Sequence, residues 1–169
     1  SVVREVLEPL GFSGTVFVPT GSIGGTLDNS EAKPQPILSE TALRELATSS
    51  GVTLEPHSVT HREFTTIGST EVAREIKESK AGIEALAGTS TCFAYPRGAY
   101  TREHAELVAA SGLRGAVTVQ GGLVGPQSGR YELPRNTIAS GTSWQEFRIL
   151  ISPAAGVAAA GLRLLRREV

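Results

Sequence analysis

The sequence predicts an α/β fold built from parallel β/α units, and three observations carry that prediction. Short runs rich in β-branched and aromatic residues alternate with helical stretches. The helical stretches between them run to ten or more residues, long enough to return the chain to the same edge of a sheet. No internal repeat and no linker-like composition divides the 169 residues, so one domain over 1–169 is expected.

Each element has a local reason. Val2 to Leu10 reads as a helix with Val3, Val6, Leu7 and Leu10 at helical spacing, closed by Gly11. Thr15-Val16-Phe17-Val18 is a buried strand by composition. Pro19 to Pro36, with its glycines, prolines and small polar residues, is a loop. A helix from Ser39 to Ser50 turns Leu43, Leu46 and Ala47 inward and stops at Gly51; Val52 to Glu55 is the next strand. Ser69 or Thr70 caps a long helix to Ala87 with Val72, Ile76, Ile83 and Leu86 on its inner face and Gly88 at its end. Thr91 to Tyr95 is a strand, Thr101 to Ser111 a helix, and Ala116 to Val119 a strand. Ser143-x-x-Glu146 is a capping box opening a helix, and a last helix is expected from Ser152-Pro153 onward, ending in Arg163, Arg166 and Arg167.

The bulk composition, 40% hydrophobic and 20% charged, is that of a globular domain. A net charge of −1 with scattered basic residues gives no field that would gather nucleic acid or an anionic membrane, and suits a neutral ligand such as a sugar. The single cysteine, Cys92, cannot form an intramolecular disulfide and reads as a small buried hydrophobe in Cys92-Phe93-Ala94-Tyr95. No stretch reaches the length of a membrane span, and no signal-peptide pattern opens the chain. Because the chain starts at Ser1 and contains no methionine, a segment upstream is expected.

In parallel β/α folds the chemistry sits on loops after the strands' C-terminal ends, here after Val18, Glu55 and Tyr95. Two of the three histidines stand four apart in His57-Ser58-Val59-Thr60-His61, directly after a strand. Pro56 keeps Glu55 out of the helical region, so the segment turns out of the sheet. A tight turn would bring both imidazoles to one side, where a pair plus a carboxylate is a common way to hold zinc with one position open. By itself the pair is a weak signal, since histidines so spaced are often surface residues or hydrogen bonders. His104, on a polar part of its helix, reads as solvated. In Tyr95-Pro96-Arg97-Gly98-Ala99-Tyr100, proline and glycine fix a turn after a strand; its N–H groups could converge as an oxyanion hole, or the turn could be an ordinary strand ending.

Together these segments resemble the polysaccharide deacetylases, the NodB homology domain of carbohydrate esterase family 4. Gly14 to Gly24 resembles the family's second strand and its loop, His57-Ser58-Val59-Thr60-His61 the metal motif H-[S/T]-x-x-H, and Phe93-Ala94-Tyr95-Pro96-Arg97-Gly98 the third motif. Gly112 to Val119 and Leu133-Pro134-Arg135-Asn136 resemble the last strands of one branch. The match runs from about residue 10 to residue 138, with the C-terminal helices, 143–169, beyond it. The resemblance implies a distorted (β/α) barrel and a divalent metal, often zinc, held by an Asp and two His, here His57 and His61. It implies removal of N-acetyl groups from a polysaccharide or oligosaccharide, with Arg97 and Arg135 as catalytic residues and Tyr95, Pro96 and Tyr100 against the substrate. Ser58 would tie the metal loop together. It also implies a cell-envelope or secreted setting.

The chain departs from the family pattern in places. The first motif, an Asp-Asp strand supplying the base and a metal ligand, is expected ahead of the Val2–Leu10 helix, whereas the only aspartate, Asp28, lies in the loop after the second strand. Ala94 stands where many relatives carry an arginine that orients the base. Leu133-Pro134-Arg135 replaces Leu-x-His, and arginine can stabilise charge but cannot deliver a proton at neutral pH. The resulting expectations are a barrel incomplete at its N-terminal strand, an open edge beside Thr15–Val18 that favours self-association, and weak or no turnover by this chain alone. The alternative function is a non-catalytic deacetylase-fold domain that binds sugar or serves a structural role. Another metallohydrolase on a β/α barrel is the third reading.

Overall fold

The strands are short, parallel and placed as the composition requires. β1 (Gly14–Val18) pairs with β4 (Val52–Pro56), Gly14 opposite Val52 through Val18 opposite Pro56. β5 (Cys92–Ala94) pairs with β6 (Gly115–Val117) in the same sense, and Val117 continues the order through a parallel bridge to Leu133. Within the loop expected over Pro19–Pro36, β2 (Thr26–Leu27) and β3 (Gln35–Pro36) make a small antiparallel pair. This computed structural model describes residues 3–27, 34–49 and 51–153. The helix expected from Ser152-Pro153 lies outside the described residues, as does Asp28.

β4 and β5 lie side by side, joined by a side chain. The buried carboxylate of Glu55 accepts from the Thr91 amide (2.8 Å), the Thr91 hydroxyl (2.8 Å) and the Cys92 amide (3.0 Å). It supplies the acceptors that a backbone ladder would otherwise provide at that seam.

The helices follow their local signals closely. α1 (Glu40–Ala47) is capped by Ser39, whose hydroxyl accepts from the Ala42 amide. α2 (Ser69–Ala87) starts after Gly68, so neither Ser69 nor Thr70 is the cap, and it ends on Gly88 in the left-handed conformation that favours glycine. α3 (Arg102–Ala110) and α4 (Trp144–Leu150) both open with reciprocal capping boxes, Thr101 with His104 and Ser143 with Glu146. His104 is therefore not the solvated residue expected. It is buried, with Nδ1 accepting from the Thr101 amide at 3.1 Å and its ring edge-on to Phe64.

The expected Val2–Leu10 helix shrinks to one π-helical turn over Val3–Leu7. Pro9 has no N–H to continue it and disfavours a helical conformation in the residue before it, and Leu10 is 63% exposed. The expected strand over Ala116–Val119 likewise gives way after Val117, where Thr118 turns to bond Leu133 instead.

The core has two parts threaded by α2. Val72 and Ile76 join Phe64, Phe93, Tyr95, Val108, Leu113 and Ala116, while Ile83, two turns on, joins Val18, Leu43 and Leu54. One apolar stripe at helical spacing thus ties both strand pairs to a single helix. Cys92 is half-buried, and burial first, then the nearby Glu55 charge, pushes its thiol up, away from the reactive thiolate.

Candidate active site

The loop after β4 is held from three directions. The His57 amide extends the β1–β4 ladder by donating to the Val18 carbonyl at 3.1 Å. The loop after β1 then donates to it, Thr20 N to Ser58 O (3.1 Å) and Gly21 N to Val59 O (2.9 Å). Gly21 is required by that approach, because a Cβ there would stand 2.7 Å from the Val59 carbonyl oxygen. Ser58 and His61 both take positive φ, 64° and 59°, a conformation costing a non-glycine residue about 1–3 kcal/mol each. The buried Ser58 hydroxyl accepts from the His61 amide at 2.9 Å, the tie that the motif implies. From α2, the fully buried Glu75 carboxylate accepts from Val59 N (2.8 Å), Thr60 N (2.9 Å) and the Thr60 hydroxyl (2.9 Å).

The outcome is a convergent imidazole pair. His57 Nδ1 lies 2.7 Å from the Ala94 carbonyl oxygen, which can only accept, so Nδ1 carries the proton and Nε2 presents a lone pair. His61 Nε2 faces it at 3.1 Å, with the rings edge to face. Burial, partly opposed by the Ala94 hydrogen bond and reinforced by the His61 and Arg135 charges, lowers His57 to about 4. Burial first and the Arg97 charge second lower His61 as well. Both rings are therefore neutral near pH 7, the form that ligates metals.

Two cations flank the pair. Arg135 donates from Nε to the Thr118 carbonyl (2.7 Å) and sits 5.4 Å above the Phe17 ring, whose other neighbour is His57 at 6.4 Å between centroids. Arg97, itself in the left-handed conformation at φ 53°, pairs with Glu63 at 3.6 Å beside His61. The sequence-derived set is thus only partly assembled: His57, His61, Arg97 and Arg135 come together.

Tyr95 and Pro96 do not present side chains to that site. Tyr95 follows Phe93 onto the core side of the chain by the two-residue period of a strand, and its hydroxyl is used up on the Tyr131 carbonyl at 2.9 Å. The Tyr95 and Pro96 side chains, expected against the substrate, are both buried. Tyr100, half-buried, stacks on Tyr95 at 4.6 Å. Reading the sequence missed Phe17, Glu63 and Glu75. For Glu75 a signal existed: a carboxylate on the apolar stripe of an amphipathic helix, between Val72 and Ile76.

The histidine pair is a fitting half of a metal site. Two nitrogens 3.1 Å apart can share an ion at ordinary zinc–nitrogen distances of about 2.0–2.1 Å. Among the described residues, no cluster of three His, Cys, Asp or Glu forms.

The family model of polysaccharide deacetylases matches residues 2–116, and the chain belongs to that family. Its fold is that family's (β/α) barrel type, here as partial sheets. A deacetylase from Streptococcus pyogenes, PplD, solved with acetate, superposes with a TM-score of 0.76 at 20% identity over 90% of this chain and 64% of that one. A polysaccharide deacetylase from Bacillus cereus gives 0.72 at 19% identity, covering 89% of this chain and 46% of that one. A de-N-acetylase from Aggregatibacter actinomycetemcomitans gives 0.72 at 12%, covering 89% and 69%. The chain thus spans roughly half to two thirds of these structures' lengths. No curated protein matches it.

Proposed function

We propose that the chain is the histidine-bearing part of a metal-dependent hydrolase that removes N-acetyl groups from a polysaccharide or oligosaccharide. The observation that carries this reading is the facing pair of neutral imidazole nitrogens at the C-terminal end of β4, in a chain of the deacetylase family. His57 and His61 would hold a divalent ion; imidazole donors suit zinc among others, and the family resemblance favours zinc. When bound, such an ion polarises a carbonyl and acidifies a water.

The chain's own residues orient the ligands and steady the developing charge. His57, with Nδ1 committed to Ala94, keeps Nε2 aimed at the site. Arg97 and Arg135, one on each side of the pair, stabilise negative charge growing on the acetamide oxygen; neither gives up a proton at neutral pH. Tyr100, the half-buried partner in a stack with the buried Tyr95, offers a sugar an apolar edge. The neutral overall charge suits an uncharged amide substrate.

Acetate release from N-acetylated chito-oligosaccharides, with zinc or cobalt supplied and measured on a chain extended upstream to include the expected Asp-Asp strand, tests this directly. Release that falls at least about 100-fold in the Arg135→Met variant is expected if Arg135 steadies that charge. A second reading, a deacetylase-fold domain that binds the sugar without turning it over, is favoured by the two-histidine composition of the site among the described residues. Oligosaccharide binding without acetate release, even with metal bound, would select it.

A further inference from the structure

We propose that Glu75 is a positioning residue of the histidine site, setting where His61 stands while leaving His57 in place. The inference rests on the reading that the two histidines hold a metal.

The two histidines are held by different means. His57 is tethered through its amide to Val18 and through Nδ1 to Ala94, both on strands. His61 has no strand behind it. It follows three residues of turn in which Ser58 and His61 are themselves left-handed, a state that persists in non-glycine residues only when the surroundings over-determine it. The loop after β1 and the Ser58 hydroxyl hold part of that turn, and the Glu75 side chain, fully buried and reached by three donors of Val59 and Thr60, holds the peptides next to His61. Both backbone donors go to one oxygen, Oε2, and the Thr60 hydroxyl to the other, with Arg74 3.7 Å from that second oxygen. Two adjacent amides converging on one oxygen fix the orientation of both peptide planes, and so the direction in which the chain enters His61. Remove the carboxylate and those amides lack an acceptor; the cheapest relief is for the turn to relax to negative φ, which carries His61 Nε2 away from His57 Nε2.

The test compares the wild-type chain with Glu75→Leu, Glu75→Gln and Glu75→Asp, using Ile83→Val in the other core cluster as a control for lost stability. Cobalt(II) titration followed by absorbance reads metal affinity. NMR of the metal-free chain reads amide exchange at Val59 and Thr60, the His57 Nδ1–H signal, and the ring-to-ring contact of the two histidines. Glu75→Leu is expected to weaken cobalt binding about 10–100-fold, to lose both amide protections and the ring contact, and to leave His57 Nδ1–H unchanged. Glu75→Gln keeps one oxygen for both amides and stays within about threefold of wild type. Ile83→Val leaves all four readouts as they are. If Glu75→Leu does not fold, Glu75→Asp carries the test: its oxygens sit one methylene short, so it must bind cobalt more weakly than Glu75→Gln.

Wild-type affinity and ring contact in Glu75→Leu, or in Glu75→Asp where the leucine variant is unfolded, overturns the proposal. So does a loss that strikes His57 and His61 alike, or one that Ile83→Val reproduces. Wild-type chain that takes up no cobalt overturns the metal reading alone; the ring contact and amide exchange still decide what Glu75 does.

Discussion

His57 shows most plainly how a single residue's setting fixes its chemistry. The Ala94 carbonyl chooses its tautomer, and burial against Phe17 and Arg135 keeps it uncharged down to about pH 4. That depression has a sign for stability. In the unfolded chain the imidazole takes a proton near 6.5, whereas in the fold it resists until about 4. Stability from this residue is therefore fully present above pH 6.5 and is lost progressively as pH falls toward 4. In the metal-free chain, urea midpoints should be flat from pH 8 to 7 and drop between 6.5 and 4, and the drop should shrink in His57→Gln. A midpoint independent of pH across that window, or His57 resonances titrating near 6.5, would contradict the part-buried, neutral assignment.

At the scale of elements, what was legible was what is local. Ser39, Thr101 and Ser143 announced their helices because a cap and the amides it serves lie within three residues. The Val2–Leu10 periodicity misled because Pro9 outweighs it, and His104 misled because histidine rarely fills the third position of a capping box. The partners of the two buried carboxylates were illegible for the opposite reason, although the place of Glu75 on an apolar stripe marked it as buried. Glu75 serves a loop about fifteen residues upstream and Glu55 a strand 36 residues downstream, separations that no local pattern encodes. The burial of Tyr95 was illegible because a motif names a segment, while the strand's alternation decides which side chains face the core.

Glu55 gives the testable case. Glu55→Leu leaves the Thr91 amide, Thr91 hydroxyl and Cys92 amide without their acceptor at the β4–β5 seam, and should cost about 3 kcal/mol or more by denaturant unfolding. Glu55→Gln, which retains an acceptor, should cost clearly less. Equal midpoints for Glu55→Leu and wild type would mean that the seam is held by something else.

Over the whole molecule, the site is a product of order along the sheet. Phe17 comes from β1, the histidine pair follows β4, Ala94 ends β5, and Arg135 stands just past the Val117–Leu133 bridge beyond β6. Successive parallel strands deliver their C-terminal ends to one place, which is why residues scattered from Phe17 to Arg135 meet around two imidazoles. The central claim is that these imidazoles bind one divalent ion, and metal content measures it most directly. The chain is dialysed to equilibrium against saturating zinc and the metal bound per chain is measured in that buffer, beside His57→Ala/His61→Ala shown by circular dichroism to keep its fold. The account predicts close to one zinc per wild-type chain and almost none in the double variant; equal metal in both would contradict it.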